Sequence, residues 1–376
     1  MIQRQLQKNI AEHFFKGKAI IIFGARQVGK TTLVKELIKP FSSETLWLTA
    51  DAPEVEQMLT RPSLARLQAI VGQHRIVVID EAQRIPEIGL TLKLFTDQIP
   101  EVQVIATGSS ALDLAAQTAE PLTGRKWEFQ LFPISFAEMT AHSGLIQEHG
   151  SLAHRLVFGA YPEIITAKGN ERTLLNLITS AYLYKDLFRY EQIKKPVLLE
   201  KIVRALALQV GSEVSFHEIG QLVGASPQTV EKYIDLLEKA FVIVQLPALS
   251  RNLRNEIKRG RKIYFLDNGI RNAILGNFSP LESRTDVGAL WENFLISERL
   301  KYVHYNHLFV NRYFWRTTEQ QEIDYLEEID GQFYAYEFKY QPHKKVRFPN
   351  TFSANYPVVQ TTVVSSENYD SLLLNY

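Results

Sequence analysis

The sequence predicts an α/β protein with a parallel sheet, followed by a helical block and an α+β block. Three observations carry that expectation. Up to about residue 145, short β-branched runs alternate with longer amphipathic stretches, the pattern of a parallel sheet with helices on both faces. From about 150 to 240 the apolar period becomes helical, and from about 262 onward one helix is mixed with several aromatic-rich strands. The expected blocks are 1–145, 146–265 and 266–376, and a chain of 376 residues gives each room for a core of its own.

Composition narrows the class. Hydrophobic residues make up 45% and charged residues 22%, the range of globular rather than disordered chains. No fully apolar run exceeds about five residues, as at Ala19–Phe23, whereas a spanning helix needs roughly twenty, so no membrane partner is expected. Met1-Ile2-Gln3-Arg4 is not followed by an apolar stretch of signal-peptide length. Without cysteine, disulfides, thiolate metal sites and cysteine catalysis are excluded, and a cytoplasmic protein is expected. A net charge of +1 requires any nucleic-acid contact to come from a local patch.

In the first block, Ala19–Phe23, Thr45–Thr49, Arg75–Ile79 and Val102–Thr107 read as strands, and Thr31–Ile38 opens a helix. Between the first strand and that helix, Gly24, Ala25, Arg26, Gln27, Val28, Gly29, Lys30 and Thr31 match the P-loop pattern G-x-x-x-x-G-K-[ST]. Glycines at both ends let the backbone curl its N–H groups towards phosphate oxygens, and the helix N-terminus adds partial positive charge. Lys30 would neutralise the β- and γ-phosphates, and the Thr31 hydroxyl would ligate Mg²⁺. With Thr32, these residues are the expected nucleotide-binding set.

A second element supports the first. Arg75-Ile76-Val77-Val78-Ile79 ends in Asp80-Glu81, the Walker B arrangement, in which Asp80 holds the Mg²⁺ shell and Glu81 polarises the attacking water. No Asn-Lys-x-Asp base-reading motif occurs, which favours ATP over GTP. Thr107-Gly108-Ser109-Ser110 puts hydroxyls at a strand end, either to sense the γ-phosphate or as a plain turn. Arg125 is a candidate arginine finger, in cis or from a neighbouring subunit, or a solvent-exposed arginine.

The runs "GARQVGKTT", "VVIDEAQRIPE", "ATGSSAL" and "LTGRKWEFQLFPISFAEM", with "GAYPEII" and "YLYKDLF" after them, resemble a family of AAA-type ATPases from bacteria and archaea. The resemblance covers essentially the whole chain. The first two runs are common to P-loop ATPases, and the Gly-Arg…Phe-Pro-Ile-Ser-Phe-Ala-Glu run is the specific part. It implies a P-loop NTPase core, a winged helix-turn-helix, and a C-terminal domain similar to restriction-type nucleases.

The residues of the middle block read the same way. Leu174–Tyr190 and Val197–Gln209 are helical. Val214–Val223, a Gly224-Ala225 turn and Ser226–Lys239 read as helix-turn-helix, with Ser226 as N-cap and Pro227 in the first turn. Phe241–Leu246 and Arg261–Leu266 read as wing strands flanking Arg251, Arg254, Lys258 and Arg259, with Glu256 the one acid among them, and Lys262 continues the basic run. That wing would meet phosphates while Gln228, Thr229 and Lys232 face a groove. Against DNA, Glu231, Asp235 and Glu238 give the second helix an acidic side, and winged helices also serve as protein contacts.

In the last block, Glu322–Ile329 and Gln332–Tyr340 flank Asp330-Gly331, a two-residue hairpin signal. That turn pairs residues whose numbers sum to 661, so Asp324 opposes Glu337, and Glu322 opposes Lys339. Opposed carboxylates about 5 Å apart repel, and a divalent cation between them would remove the cost. Glu337-Phe338-Lys339 with Asp324 matches the PD-(D/E)xK nuclease pattern, Lys339 orienting or helping to deprotonate a water and Mg²⁺ stabilising the charge on phosphorus. Glu292, on a helix expected over Leu290–Leu300, is the candidate third metal ligand. The bland alternative is a polar strand face on which Lys339 pairs with Glu322.

Two functions follow. One is a Mg²⁺- and ATP-dependent ATPase coupled to DNA binding, with DNA cleavage as its extension. The other is a nucleotide switch whose winged helix and inactive nuclease-like domain bind a protein partner. A homo-oligomer is compatible with either.

Overall fold

The structure is a computed structural model that describes residues 1–109, 118–167, 169–180, 195–250, 260–317, 319–344 and 346–374. Ser110, the "YLYKDLF" segment at 182–188, the expected helix 174–190 beyond residue 180, and Arg251, Arg254, Glu256, Lys258 and Arg259 lie outside the described residues. The chain forms two compact units, Met1–Pro133 with Lys239–Phe241, and Ile134–Glu238 with Val242–Tyr376. The boundary expected at residue 265 therefore falls inside the second unit.

The first unit is built on five strands, β1 (Ala19–Phe23), β2 (Thr45–Thr49), β3 (Ile76–Asp80), β4 (Gln103–Gly108) and β5 (Lys126–Gln130). All neighbours are parallel and the order is β2-β3-β4-β1-β5. Every residue of β1, β3 and β4 is buried, as central strands covered on both faces must be, which explains the unbroken apolar runs of β1 and of β3 up to Asp80. One face packs Ile21, Phe23, Val77 and Ile79 against Leu92 and Phe95 of the helix Ile88–Gln98. Strand β5 lies at an edge and has a polar Lys-Trp-Glu-Phe-Gln sequence, which hid it from the apolar-run reading. Because the strands are parallel, the chain leaves β1, β3 and β4 on one edge of the sheet, where loops can converge.

The second unit begins inside the Phe-Pro-Ile-Ser-Phe-Ala-Glu run, whose residues build the fold. Ser135 and Glu138 form a capping box on the helix Phe136–Ser143. The Phe136 N–H donates to buried Glu298 (2.7 Å), and the Lys301 ammonium donates to Glu298 (2.5 Å) and to the Ile134 carbonyl (3.3 Å). In the next run, the Ala160 N–H donates to buried Asp267 (2.7 Å). A Cβ at Gly159 would lie 2.0 Å from that carboxylate, so only glycine fits.

Further on, helices Phe216–Val223 and Pro227–Lys239 follow one another, and Ser226 accepts from the Thr229 N–H at the start of the second. A small antiparallel sheet of β6 (Glu213–Val214), β7 (Ile243–Pro247) and β8 (Arg261–Phe265) runs in the order β6-β8-β7. Its Gln245 amide draws in the acids of the second helix, donating to Glu238 (2.7 Å) and Asp235 (3.3 Å). Two of the three carboxylates expected to give that helix an acidic face are thus tied to the neighbouring sheet.

The 19-residue helix Val287–Tyr305 then leads into β9 (Asn311–Arg316), β10 (Glu322–Ile329), β11 (Gln332–Phe338) and β12 (Val358–Val364), in the order β12-β11-β10-β9. Strands β10 and β11 pair antiparallel from Ile329↔Gln332 to Tyr325↔Tyr336, the register of a two-residue Asp-Gly turn.

Candidate nucleotide site and C-terminal carboxylate site

The P-loop leaves the end of β1 under close backbone contact. A Cβ on Gly24 would lie 2.2 Å from the Leu131 carbonyl oxygen, and Gly29 takes φ 96° where the helix Lys30–Ile38 begins. Buried Arg4 clamps the loop from outside, donating to the carbonyls of Val28 (2.8 Å) and Phe132 (2.6 Å). Neither contact is visible in sequence, because the partners stand 24 and 128 residues away.

Within the loop, Lys30 is buried and its ammonium donates to the carbonyls of Gly24 (2.8 Å) and Ala25 (3.0 Å). Ala25 and Val28 are buried, Arg26 is half-buried, and Gln27 and Thr32 are exposed. The Thr31 hydroxyl donates to Asp80 Oδ2 (3.2 Å) across the sheet edge. Hydroxyl and carboxylate thus already touch, a hard-oxygen pair that fits Mg²⁺ with its water shell. Buried Thr107 of β4 donates to Asp80 Oδ1 and accepts the Glu81 N–H (3.1 Å). The Gln83 amide donates to Glu81 Oε2 (2.7 Å) and to the Ser109 hydroxyl (3.0 Å). Thr107 and Ser109 are therefore wired into the Walker B acids rather than forming a bare turn.

Arg125 stands at the far edge of the same sheet. Its carbonyl accepts from the Ala19 N–H (2.9 Å) at the start of β1, while the P-loop follows the end of that strand. Five strand residues separate the two edges by roughly 16 Å. The Arg125 guanidinium pairs with Asp97 (2.6 Å) instead. A finger acting in cis on this nucleotide site is overturned by that placement.

In the second unit, Asp324 and Glu337 come together at the end of the β10–β11 hairpin. The Asp324 carboxylate accepts from the Phe338 N–H (2.8 Å), and Lys339 bridges Asp324 (3.1 Å) and Glu337 (2.8 Å). Burial and the Asp324 charge push the Glu337 carboxyl up to about 7 despite Lys339. Lys339 does not pair with Glu322, which corrects the bland alternative: Glu322 takes Lys262 (2.6 Å) and Arg316 (4.0 Å).

Glu292 also departs from expectation. Its carboxylate accepts from Lys262 (3.1 Å) and from the Tyr264 hydroxyl (2.6 Å), and burial pushes its pKa up. Among the described residues, no group of three or more His, Asp or Glu side chains is close enough to hold a metal. The expected cage of Glu292, Asp324 and Glu337 is therefore not formed, because a lysine from the small sheet supplies Glu292 with its counter-charge. Lys262 is 2% exposed; burial would lower its pKa, but Glu292 and Glu322 hold it above the ordinary value. Sequence reading took Lys262 for part of a solvent-facing wing and missed this role. Beside Lys339 opens a cleft of about 540 Å³, lined among others by Glu282, Arg284, Tyr340 and Lys344.

Comparison with known proteins bears on these sites. Residues 16–140 match the family model of an AAA domain, residues 149–281 a domain of unknown function (DUF8612), and residues 287–372 another domain of unknown function (DUF4143). An uncharacterized protein of Mycobacterium tuberculosis is 28% identical over 346 residues, covering 90% of this chain and 74% of that protein. An uncharacterized protein of Haemophilus influenzae is 27% identical over 184 residues, 46% of each chain. Among solved structures, the Walker-type ATPase PABY2304 of Pyrococcus abyssi aligns with a TM-score of 0.51 at 15% identity, over 73% of this chain and 96% of that one, and so shares the fold. Residues 16–140 are thus similar to an AAA domain, and their parallel five-stranded sheet with its phosphate loop has the fold of a P-loop NTPase core.

Proposed function

We propose that the chain is a Mg²⁺-dependent ATPase in which Lys30, Thr31, Asp80 and Glu81 carry the nucleotide chemistry. The observation that carries this reading is the Thr31–Asp80 hydrogen bond of 3.2 Å, which joins the P-loop to the Walker B strand. In it, the N–H groups from Gly24 to Thr32 cradle the phosphates, and Lys30 exchanges the two loop carbonyls for phosphate oxygens. Bound Mg²⁺ would be held by Thr31 and Asp80 and would supply charge neutralisation on the phosphates. Glu81 accepts a proton from the attacking water. Lys30→Ala is expected to lose ATP hydrolysis, measured as phosphate release; turnover unchanged in that variant would sink the assignment.

We further propose that the second unit is a DNA-facing module in two blocks, 146–265 as a winged helix and 266–376 as a nuclease-like domain, following block 1–145. Support comes from the consecutive helices beside a three-stranded sheet, and from Asp324, Glu337 and Lys339 gathered next to a cleft. Two opposed carboxylates suit one Mg²⁺, and Lys339 would then turn to the attacking water. Purified protein on supercoiled plasmid with Mg²⁺ or Mn²⁺ is expected to nick it, and Asp324→Ala to abolish nicking. No cutting under any nucleotide condition would favour the second reading, a nucleotide switch binding a protein partner. That reading has its own observation, since Lys262 already neutralises Glu292 and Glu322 without metal.

A further inference from the structure

We infer that Gln83 is a positioning residue for hydrolysis, one that holds the Glu81 carboxylate through its side-chain amide; the inference rests on the ATPase reading above. The chain leaves β3 sharply. Glu81 takes φ 56° and ψ 41°, a left-handed conformation that side-chain-bearing residues rarely adopt, and residues Ala82–Arg84 form a single 3₁₀ turn. That turn brings Gln83 back over the residue two places before it. Its Nε2 donates to Glu81 Oε2 at 2.7 Å and to the Ser109 hydroxyl at 3.0 Å.

Two facts separate this amide from ordinary packing. The first is its symmetry with Thr107. Thr107 lies near the end of β4 and Ser109 is the first residue beyond it, and both side chains reach the segment that carries the Walker B acids. Thr107 holds Asp80 and the Glu81 N–H directly, and Ser109 holds the Glu81 carboxylate through Gln83. The second is what the amide gives up. Gln83 Oε1 is buried and meets no hydrogen-bond donor. Turning the amide over would aim its carbonyl at the Glu81 carboxylate, so the acid dictates the orientation and leaves the carbonyl unpaired. Buried unpaired acceptors are rare and cluster where another requirement overrides them. Here the requirement is a fixed Glu81, because a base that must meet a water in line with the γ-phosphate loses rate when it swings between rotamers.

Gln83→Met keeps the length of the side chain and removes both donors. We expect at least a tenfold fall in kcat, with the affinity for a fluorescent ATP analogue changed less than twofold and the thermal midpoint not lowered. Gln83→Asn, one methylene short, should show the same split and guards against misfolding of the first variant. In single-turnover assays, adding Gln83→Met to Glu81→Gln should cost no further rate, since the amide acts only through the acid. An unchanged kcat in Gln83→Met overturns the inference, as does an equal fold-loss in the wild-type and Glu81→Gln backgrounds. If the wild-type protein binds ATP but never turns it over, the ATPase reading falls and this inference with it. An active wild type beside an indifferent Gln83→Met overturns the inference alone.

Discussion

Thr107 is the residue on which both Walker B positions depend. Its buried hydroxyl serves Asp80 as donor and the Glu81 backbone as acceptor. Thr107→Val keeps the shape and deletes both bonds, leaving a carboxylate oxygen and an N–H unpaired. We expect a loss of about 1–3 kcal/mol in stability, measured by urea unfolding, with reduced ATP turnover; Thr107→Ser should recover both. At this scale, legibility follows the distance between cause and effect. Lys30, Thr31, Asp80 and Glu81 were readable because each lies within a contiguous motif whose chemistry demands that residue type. Arg4 and Lys262 were not, because their partners are remote in sequence and meet them only after folding. Of the alternatives open for Arg125, only the finger in cis is decided by the fold, since the end of the strand at which it falls is a matter of strand direction.

Among the elements, the hairpin was the most legible. Asp-Gly fixes a two-residue turn, and the turn fixes every pair from Ile329↔Gln332 to Tyr325↔Tyr336. The helix expected over Leu290–Leu300 was harder to bound. It runs from Val287 to Tyr305 and buries residues on most of its sides, Trp291, Asn293, Leu295, Ser297 and Lys301 among them, so no amphipathic edge marks its ends. Near its C-terminus, burial holds the His304 imidazole down to about 4 from an ordinary 6.5, with His307 and Arg312 adding repulsion. A histidine held neutral in the fold stabilises it above pH 6.5, and that contribution is lost as pH falls through about 4. His304→Leu should therefore flatten the decline in urea midpoint between those pH values, whereas an unchanged pH profile would assign the decline to other groups. Strand β5 escaped notice because an edge strand needs only one apolar face, and its alternation over five residues is too short to stand out.

For the molecule as a whole, the chain's own chemistry determined the parallel-sheet core, the phosphate loop, the paired acids after β3 and the hairpin that brings Asp324 and Glu337 together. These are local consequences of residue type and spacing: glycines that let a loop curl, β-branched runs that must be buried, and a turn that allows one register. Tertiary structure alone decided what those groups touch. It inserted β4 between the P-loop strand and the Walker B strand, so that Thr107 and Ser109 reach Asp80 and Glu81. It brought Lys262 of β8 between Glu292 and Glu322, which broke up the expected cage of three carboxylates. It also turned the runs around Ser135 and Gly159 into buried anchors on Glu298 and Asp267. The physical reason is that a buried charge needs a partner of opposite sign or a donor at hydrogen-bond distance, and the partner is whichever group the fold delivers there, however far away it lies in sequence.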